Sequence, residues 1–374
     1  MTITNVKIYT MEGEDKIISR GWLSFENGKI TALGEGDYTG GGEIIDGKGA
    51  GLYPGFIDGH SHIGVIEDSL TFEGSDVNEM TDPVTPFLRG IDCINPMDRC
   101  FEDAYKAGVT CVAAGPGSAN PIGGQFAAVK TYGRRIDDMI VKAPVSMKFA
   151  MGENPKRVYH GKGRTPETRM ATAAVIREAL IKAKKYSEKE SPDFDFKCDA
   201  LVPVLKGELT AHIHAHRADD IFTAIRISRE FGLKYAVVHC TEGHLIADAL
   251  AAEGIRAFVG PNLSDRSKPE LKNSTFENAG ILDAAGVLIG ITVDHPVTPL
   301  DYLPICAGYA RKQGLKPYSA LAAITINPAK ILEIDDRVGS LKPGKDADFS
   351  LISGDPLEVS SIVEKVWING REVK

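Results

Sequence analysis

The sequence holds no apolar run near the roughly 18 residues that a membrane-spanning helix requires, so no such helix is expected. Its first residues, Met1-Thr2-Ile3-Thr4-Asn5, lack the basic segment and apolar stretch of a secretory leader, and a cytoplasmic location is the expectation. Basic excess is also missing: 43 Lys and Arg against 51 Asp and Glu leave a formal charge of -8. That balance disfavours nucleic acid or an anionic membrane as partner. Cysteine is scarce, with six residues and no Cys-x-x-Cys pair, which excludes a zinc knuckle of that spacing and points to reduced, buried thiols. There is no internal repeat and no low-complexity linker.

Glycine and proline are plentiful, 39 and 20 residues, as expected for many short loops between regular elements. The first 55 residues carry alternating runs at 6–10, 21–25 and 29–33, with Asn27-Gly28 as a hairpin turn between the last two. The carboxyl-terminal part repeats the style, with runs at 347–352 and 363–368 and Asn369-Gly370 as a turn. Neither end can bury an apolar face alone. One discontinuous β domain, built from 1–55 plus 336–374, is therefore expected.

The middle, 56–335, reads differently. Apolar runs occur at 55–58, 109–114, 127–130, 145–150, 209–213, 235–238, 256–259 and 287–292, with the third the weakest. Helical periodicity is clearest at 166–185, 218–231, 245–253 and 318–331. Strands alternating with helices imply an α/β fold, a (β/α)8 TIM-like barrel.

Several of these buried strands end in residues that no apolar core needs: His60 and His62, Glu153, His214 and His216, His239, and Asp294 with His295. In a parallel barrel the carboxyl-terminal strand ends share one face, where active sites gather. Positions i and i+2 of a strand face one side, so His60 and His62 can address one centre. Imidazole with carboxylate is a donor set for zinc, and a zinc that keeps one open position lowers the pKa of its water to about 7. Asp294 is placed to take the proton as hydroxide attacks. A single histidine at a strand end is more often a hydrogen-bonded core residue; the convergence of several strand ends changes that reading. His212 and His244 lack such support and read as packing residues. His295 flanks the site and either adjusts Asp294 or packs. His160 is a weaker candidate for touching substrate.

Pro54-Gly55-Phe56-Ile57-Asp58-Gly59-His60-Ser61-His62 resembles the first-strand signature of the amidohydrolase superfamily, and the resemblance extends through His214, His239, Asp294, Asn327-Pro328-Ala329 and 338–348. It is nearest the imidazolonepropionase-related branch. The resemblance implies a barrel joined to a composite β-sandwich-like domain, zinc as cofactor with one or two divalent ions per chain, and hydrolysis of an amide, lactam or peptide-like C–N bond of a small molecule. Carried over by residue, His60 and His62 hold the more buried ion, His214 and His239 the second, and Asp294 binds metal and shuttles the proton. Many two-metal members bridge the ions with a carboxylated lysine on the fourth strand, others with glutamate. Lys148 and Glu153 are the candidates, and Glu153, a ready-made anion at the strand end, is preferred. His216, Arg217 and Tyr159 are the residues expected near substrate, with Arg164 and the glycine-rich loop 115–124 as further possibilities. A mononuclear-metal deaminase of a heterocycle is the alternative, since His239-Cys240-Thr241-Glu242 superficially resembles a deaminase His-x-x-Glu, one strand later than expected. A non-catalytic scaffold would have lost ligands that are all present here. A homo-oligomer is compatible with the base rate of symmetric assembly.

Overall fold

A computed structural model describes residues 1–68 and 71–374. In chain order the strands are β1 Thr2–Tyr9, β2 Ile17–Glu26, β3 Lys29–Glu35, β4 Ile44–Asp46, β5 Gly51–Pro54, β6 Phe56–Ser61, β7 Val109–Ala114, β8 Ile122–Lys130, β9 Ile140–Ala150, β10 Thr210–Ala215, β11 Tyr235–His239, β12 Arg256–Val259, β13 Leu288–Ile291, β14 Phe349–Ser353, β15 Ile362–Ile368 and β16 Arg371–Glu372. The helices are α1 Arg99–Lys106, α2 Glu153–His160, α3 Arg169–Ser187, α4 Phe196–Leu205, α5 Ala218–Phe231, α6 Ala247–Ala252, α7 Glu277–Ala285, α8 Leu303–Lys312, α9 Pro317–Ala322 and α10 Ile326–Leu332.

Both chain ends enter one sheet, ordered β16-β15-β14-β5-β1-β2-β3 with β4 beside β1. The joint is the antiparallel pair β5–β14. Asn27-Gly28 and Asn369-Gly370 have the positive φ at both central positions that tight hairpin turns demand. The sheet coils over its own core, in which Phe25 packs edge-on against Phe349 and Trp367. A buried ionic group ties this sheet to the barrel. Lys130 at the end of β8 pairs with Asp346 at 2.8 Å and with Asp348, and Asp346 also holds Lys29 and Arg337. The acidic Lys345-Asp346-Ala347-Asp348 stretch thus follows from a lysine that must be neutralised inside the protein.

The second sheet is a near-closed barrel in the order β6 to β13. Hydrogen bonds join its first and last strand ends: Val293 N–H donates to Asp58 Oδ2 at 2.9 Å, and Thr292 Oγ1 donates to the His60 carbonyl at 2.6 Å. Seven strands are parallel. The third, β8, runs antiparallel to both neighbours and begins at Ile122, earlier than the apolar run predicts. Only 115–121 separates β7 from β8, too short for the crossover that a parallel pair needs. The periodic stretch 318–331 is likewise two helices. The break between α9 and α10 frees the Ala323 and Ile324 carbonyls to accept from Ile291 and Ile57, and Asn327 Nδ2 donates to the Ile289 carbonyl. The Asn327-Pro328-Ala329 segment is thereby a strap across β6 and β13.

Strand alternation divides the barrel into two cores. On β10, Ala211, Ile213 and Ala215 face outward to α3 and α5, while His212 and His214 face inward. The lower interior is apolar, with Ile57, Phe126, Val238 and Phe258 closed beneath by Ile331 and Leu332 of α10. The polar strand ends sit above this plug. Among the described residues no helix is long and apolar enough to cross a membrane.

Candidate metal centre

The first candidate pair depends on a local irregularity. Gly59 faces Phe258 so closely that a Cβ there would lie 2.0 Å from the ring, so only glycine fits. The β6–β7 register shifts between Asp58 and Ser61, which re-aims the strand end. Buried Asp58 accepts from the His60 and Val293 N–H groups and locks the bend; burial pushes its carboxyl up to about 7 against these bonds. His60 and His62 then both reach Asp294 Oδ1, at 3.6 and 3.2 Å from their Nε2 atoms. The Gly115 carbonyl lies 2.8 Å from His62 Nδ1, so a proton there leaves Nε2 as the free donor atom.

Two further strand ends break alternation through backbone conformation. On β11, Ala236 and Val238 belong to the inner core, so the next residue should point outward. His239 has φ 74° and Cys240 φ 47°, and this left-handed turn returns the imidazole to the interior, with Nδ1 2.8 Å from the Gly260 carbonyl. Asp294, at φ 52° past β13, is positioned the same way. Such strain in non-glycine residues collects at functional sites. His214 and His216 need no such device, being i and i+2 on β10.

Two groups of donors result: His60, His62 and Asp294, and His214, His216 and His239, each with ligand atoms within 4.8 Å of one another. They are contiguous, since the His239 ring lies 5.7 Å from His60 and 4.5 Å from His214. Burial holds the His60, His214 and His216 imidazoles well below their ordinary range, and His239 at about 4. These rings are therefore neutral, with lone pairs to offer, at neutral pH. Burial raises Asp294, but His239, His62 and Lys148 outweigh it and bring the carboxyl down to about 2.

Lys148, not Glu153, joins the histidines. Its fully buried Nζ lies 2.9 Å from His60 Nε2. Burial pulls the amine down to about 7, with Asp294 opposing the drop. Glu153 lies outside both groups. The chain turns at Gly152, φ 78°, and Glu153 opens α2 with its backbone N–H on Glu270 Oε2 at 3.1 Å. Its side chain lines a groove of about 380 Å³ with Lys156, Arg157, His160, Arg169, Arg217 and Glu270.

The expected substrate contacts separate. Tyr159 is buried and donates to Asn120 Oδ1 at 2.7 Å, a packing position. Arg217 lines the groove and makes two hydrogen bonds to Asp219, both 2.8 Å. His216 is buried beside His214. Arg164 donates to the Thr81 carbonyl, and His160 is exposed near Glu167. His212 packs inside the barrel near Phe126 and Phe258, and His244 lies in neither group. His295 is buried behind Asp294, its carbonyl accepting from His62 N–H at 3.0 Å. Sequence reading missed Glu270, buried and 3.6 Å from His216 Nε2, together with its partner Lys268 at 2.8 Å. Neither residue lies in a periodic segment, so only their charge within a loop after β12 marked them.

A divalent ion fits this donor set. His216 Nε2 is buried without a hydrogen-bond partner, and the His60 and His62 Nε2 atoms converge on Asp294 Oδ1 at 3.6 and 3.2 Å. An unpartnered buried atom costs on the order of 1–3 kcal/mol unless something satisfies it, and a cation satisfies converging acceptors.

The Amidohydrolase family profile matches residues 52–373. An amidohydrolase from Thermotoga maritima MSB8 has the same fold, with TM-score 0.96, 43% identity, and coverage of 100% of this chain and 99% of that one. The amidohydrolase tasK of Hapsidospora irregularis is 28% identical over 95% of this chain, which spans 39% of the length of that relative. An imidazolonepropionase of Alkaliphilus metalliredigens is 23% identical, covering 96% of this chain and 92% of its own. With the matched region taking in nearly all of the barrel and the carboxyl-terminal strands, the chain belongs to the amidohydrolase family, enzymes that hydrolyse carbon–nitrogen bonds.

Proposed function

We propose that this chain is a two-metal hydrolase that cleaves an amide, lactam or peptide-like C–N bond of a small molecule. The observation that carries this reading is the pair of contiguous donor groups with Lys148 against them. His60, His62 and Asp294 would hold one ion and His214 and His239 the other, zinc being the ion that this donor chemistry favours. A bound divalent ion supplies Lewis-acid polarisation and lowers the pKa of an adjacent water.

The protein's own residues do the rest. Lys148 is the bridging candidate: with its amine pulled to about 7, a large share is unprotonated at neutral pH, the form that adds carbon dioxide and releases a proton to solvent to give a carbamate anion. Asp294, ionised at neutral pH, takes the proton of the attacking water at Oδ2, the oxygen not turned to His60 and His62, and returns it to the leaving nitrogen. Asp58 keeps β6 and the segment after β13 in register, so His60 and Asp294 stay on opposite sides of one position. The groove lined by Arg217, His160 and Glu270 is the side from which substrate would approach, since Glu270 lies 3.6 Å from His216.

The deaminase alternative is disfavoured by Glu242. Its Oε2 accepts the Ala218 N–H at the start of α5 and its Oε1 accepts Asn273 Nδ2, both at 2.8 Å, so the carboxylate is engaged away from the ligand groups. A screen of N-acyl amino acids, dipeptides, lactams and imidazolones with zinc-loaded protein tests the proposal, with Asp294→Asn as control. Hydrolysis of one class, abolished by the control, is expected. Silence across the panel with metal bound, or a single ion with ammonia released from a nucleobase, defeats it.

A further inference from the structure

We propose that His216 and Glu270 are themselves ligands of the second ion, so that the site formed with His214 and His239 is a three-histidine, one-carboxylate cage. The inference rests on the reading of the site as a metal centre and extends it beyond the ends of β10 and β11 to the loop after β12.

The geometry begins with one orphan nitrogen and the carboxylate it faces. His216 Nε2 is buried without a hydrogen-bond partner and faces, at 3.6 Å, Glu270 Oε1, whose other close contact is Lys268 Nζ at 2.8 Å. His214 Nε2 lies 3.8 Å from the same oxygen. Two atoms about 2.1 Å from one ion stand about 3.4 Å apart at the tetrahedral angle, and the five-coordinate shell that such ions also adopt leaves a position for Lys148. The observed separations exceed that by only a few tenths of an ångström.

The protonation states point the same way. His216 Nδ1 is 2.7 Å from Thr241 Oγ1, and this bond fixes the ring. If Nδ1 carries the proton, Nε2 presents a lone pair to a carboxylate oxygen, two acceptors in contact inside the protein. If Nε2 carries it, the 3.6 Å separation is too long for a hydrogen bond. A cation between them resolves both cases. Position on the strand agrees, since His214 and His216 share one face of β10 and the His239 ring lies 4.5 Å from each.

Glu270 is held for the task from behind. Its Oε2 accepts the Glu153 N–H at 3.1 Å, which leaves Oε1 toward the histidines. Lys268 Nζ lies 2.8 Å from Oε1 and also donates to Asn154 Oδ1 at 3.2 Å. The competing role for Glu270 is to neutralise Lys268 alone. That role explains the carboxylate but leaves His216 Nε2 without any partner.

The test is metal content and affinity, read apart from activity. Holoenzyme, Glu270→Gln, His216→Asn and Lys268→Met would be dialysed against zinc buffers. Zinc per chain would then be counted by mass spectrometry, and the cobalt-substituted proteins examined by visible absorption. Two ions are expected in the wild type. Glu270→Gln and His216→Asn should each keep one ion, which also reports an intact fold, and bind the second at least 100-fold more weakly with an altered cobalt spectrum. Lys268→Met should keep both. If both ligand variants retain two ions at wild-type affinity and spectrum, or if Lys268→Met reproduces their loss, the four-ligand cage is wrong while the two-metal reading stands. A wild type that holds no zinc overturns the metal reading and the inference together.

Discussion

Replacing Lys130 with methionine should unfold the joint between the terminal sheet and the barrel more easily than any surface change. The side chain is 2% exposed, and it meets Asp346 Oδ2 at 2.8 Å as well as Asp348. At an effective dielectric of about 20 each such contact is worth roughly 6 kcal/mol before desolvation is subtracted. Losing one partner of a buried group costs about 3–5 kcal/mol, because the other charge stays behind unpaired. Here the damage falls unevenly. Asp346 retains Lys29 at 2.6 Å and Arg337 at 2.9 Å, whereas Asp348 keeps only the Asn369 N–H at 2.7 Å. Lys130→Met combined with Asp348→Asn should therefore recover at least half of the loss, and Asp348→Asn alone should cost only about 1.5–3 kcal/mol, the range of a hydrogen bond to a charged group.

Urea unfolding reads this directly, because both tryptophans of the chain, Trp22 on β2 and Trp367 on β15, lie in the terminal sheet. Fluorescence follows that sheet and far-ultraviolet circular dichroism follows the whole. The pH profile adds a second signature. Burial opposes the charge on Lys130, but Asp348 and Asp346 outweigh it and hold the amine above its ordinary 10.5. Its stabilisation is complete below that pH and is lost as pH rises through the raised value. Burial likewise opposes the charge on Asp346, but Lys130, Lys29 and Arg337 outweigh it and hold the carboxyl below 3.8. Its contribution is complete above about pH 4 and is lost on acidification. The wild type should weaken at both extremes, and Lys130→Met should lack the alkaline limb. A cost below about 1 kcal/mol, the range of exposed pairs, or a double variant no better than the single one, would refute this account.

Asp294→Asn should lower kcat by about 10²–10⁴-fold, the scale of general acid–base catalysis, with the fold intact by circular dichroism. Lys148→Ala should be inactive and regain part of its activity in formate or acetate, whereas Lys148→Met, which fills the space, should not; failure of any short carboxylate to act would argue against a bridging anion. Glu153→Gln should leave zinc content unchanged, as measured by metal analysis, because Glu153 stands outside both donor groups. Removal of metal with a chelator should abolish activity and lower the melting temperature, since an ion held at 1,000 times its Kd stabilises the folded state by about 4 kcal/mol; a melting temperature that ignores the chelator would contradict the proposed site.

Much of the architecture was legible because it rests on strand period and turn chemistry. Asn-Gly dipeptides between alternating runs marked both hairpins of the terminal sheet, and these are hairpins. The histidines of β6 and β10 stood out because i and i+2 share a face. The antiparallel β8 was not legible. A short apolar run carries no direction, and the strand starts within what reads as a glycine loop, at Ile122-Gly123-Gly124. The break between α9 and α10 was overlooked although Pro328 signals it: proline has no N–H for the Ile324 carbonyl, which accepts from Ile57 instead, as the Ala323 carbonyl does from Ile291.

The preference for Glu153 over Lys148 shows where residue chemistry and strand parity part company. A carboxylate is the better ligand as synthesised, and proximity to the strand end favoured it. Position in a strand is the stronger constraint. Lys148 lies opposite His212 across the β9–β10 ladder, and Ala150 opposite His214, so the inward face of β9 is that of the even-numbered residues. Extending that parity from His214 singles out Lys148 among the last residues of β9. It says nothing of Glu153, which lies past the strand beyond a left-handed glycine. Glu270 escapes both rules, since no ladder reaches the loop that carries it. Its place beside His216 is fixed by its bonds to Glu153 and Lys268, that is, by tertiary contacts alone. Residues on strands can therefore be assigned to this centre by counting along a ladder, whereas a carboxylate arriving from a loop is recognised only by the unpaired nitrogen it faces.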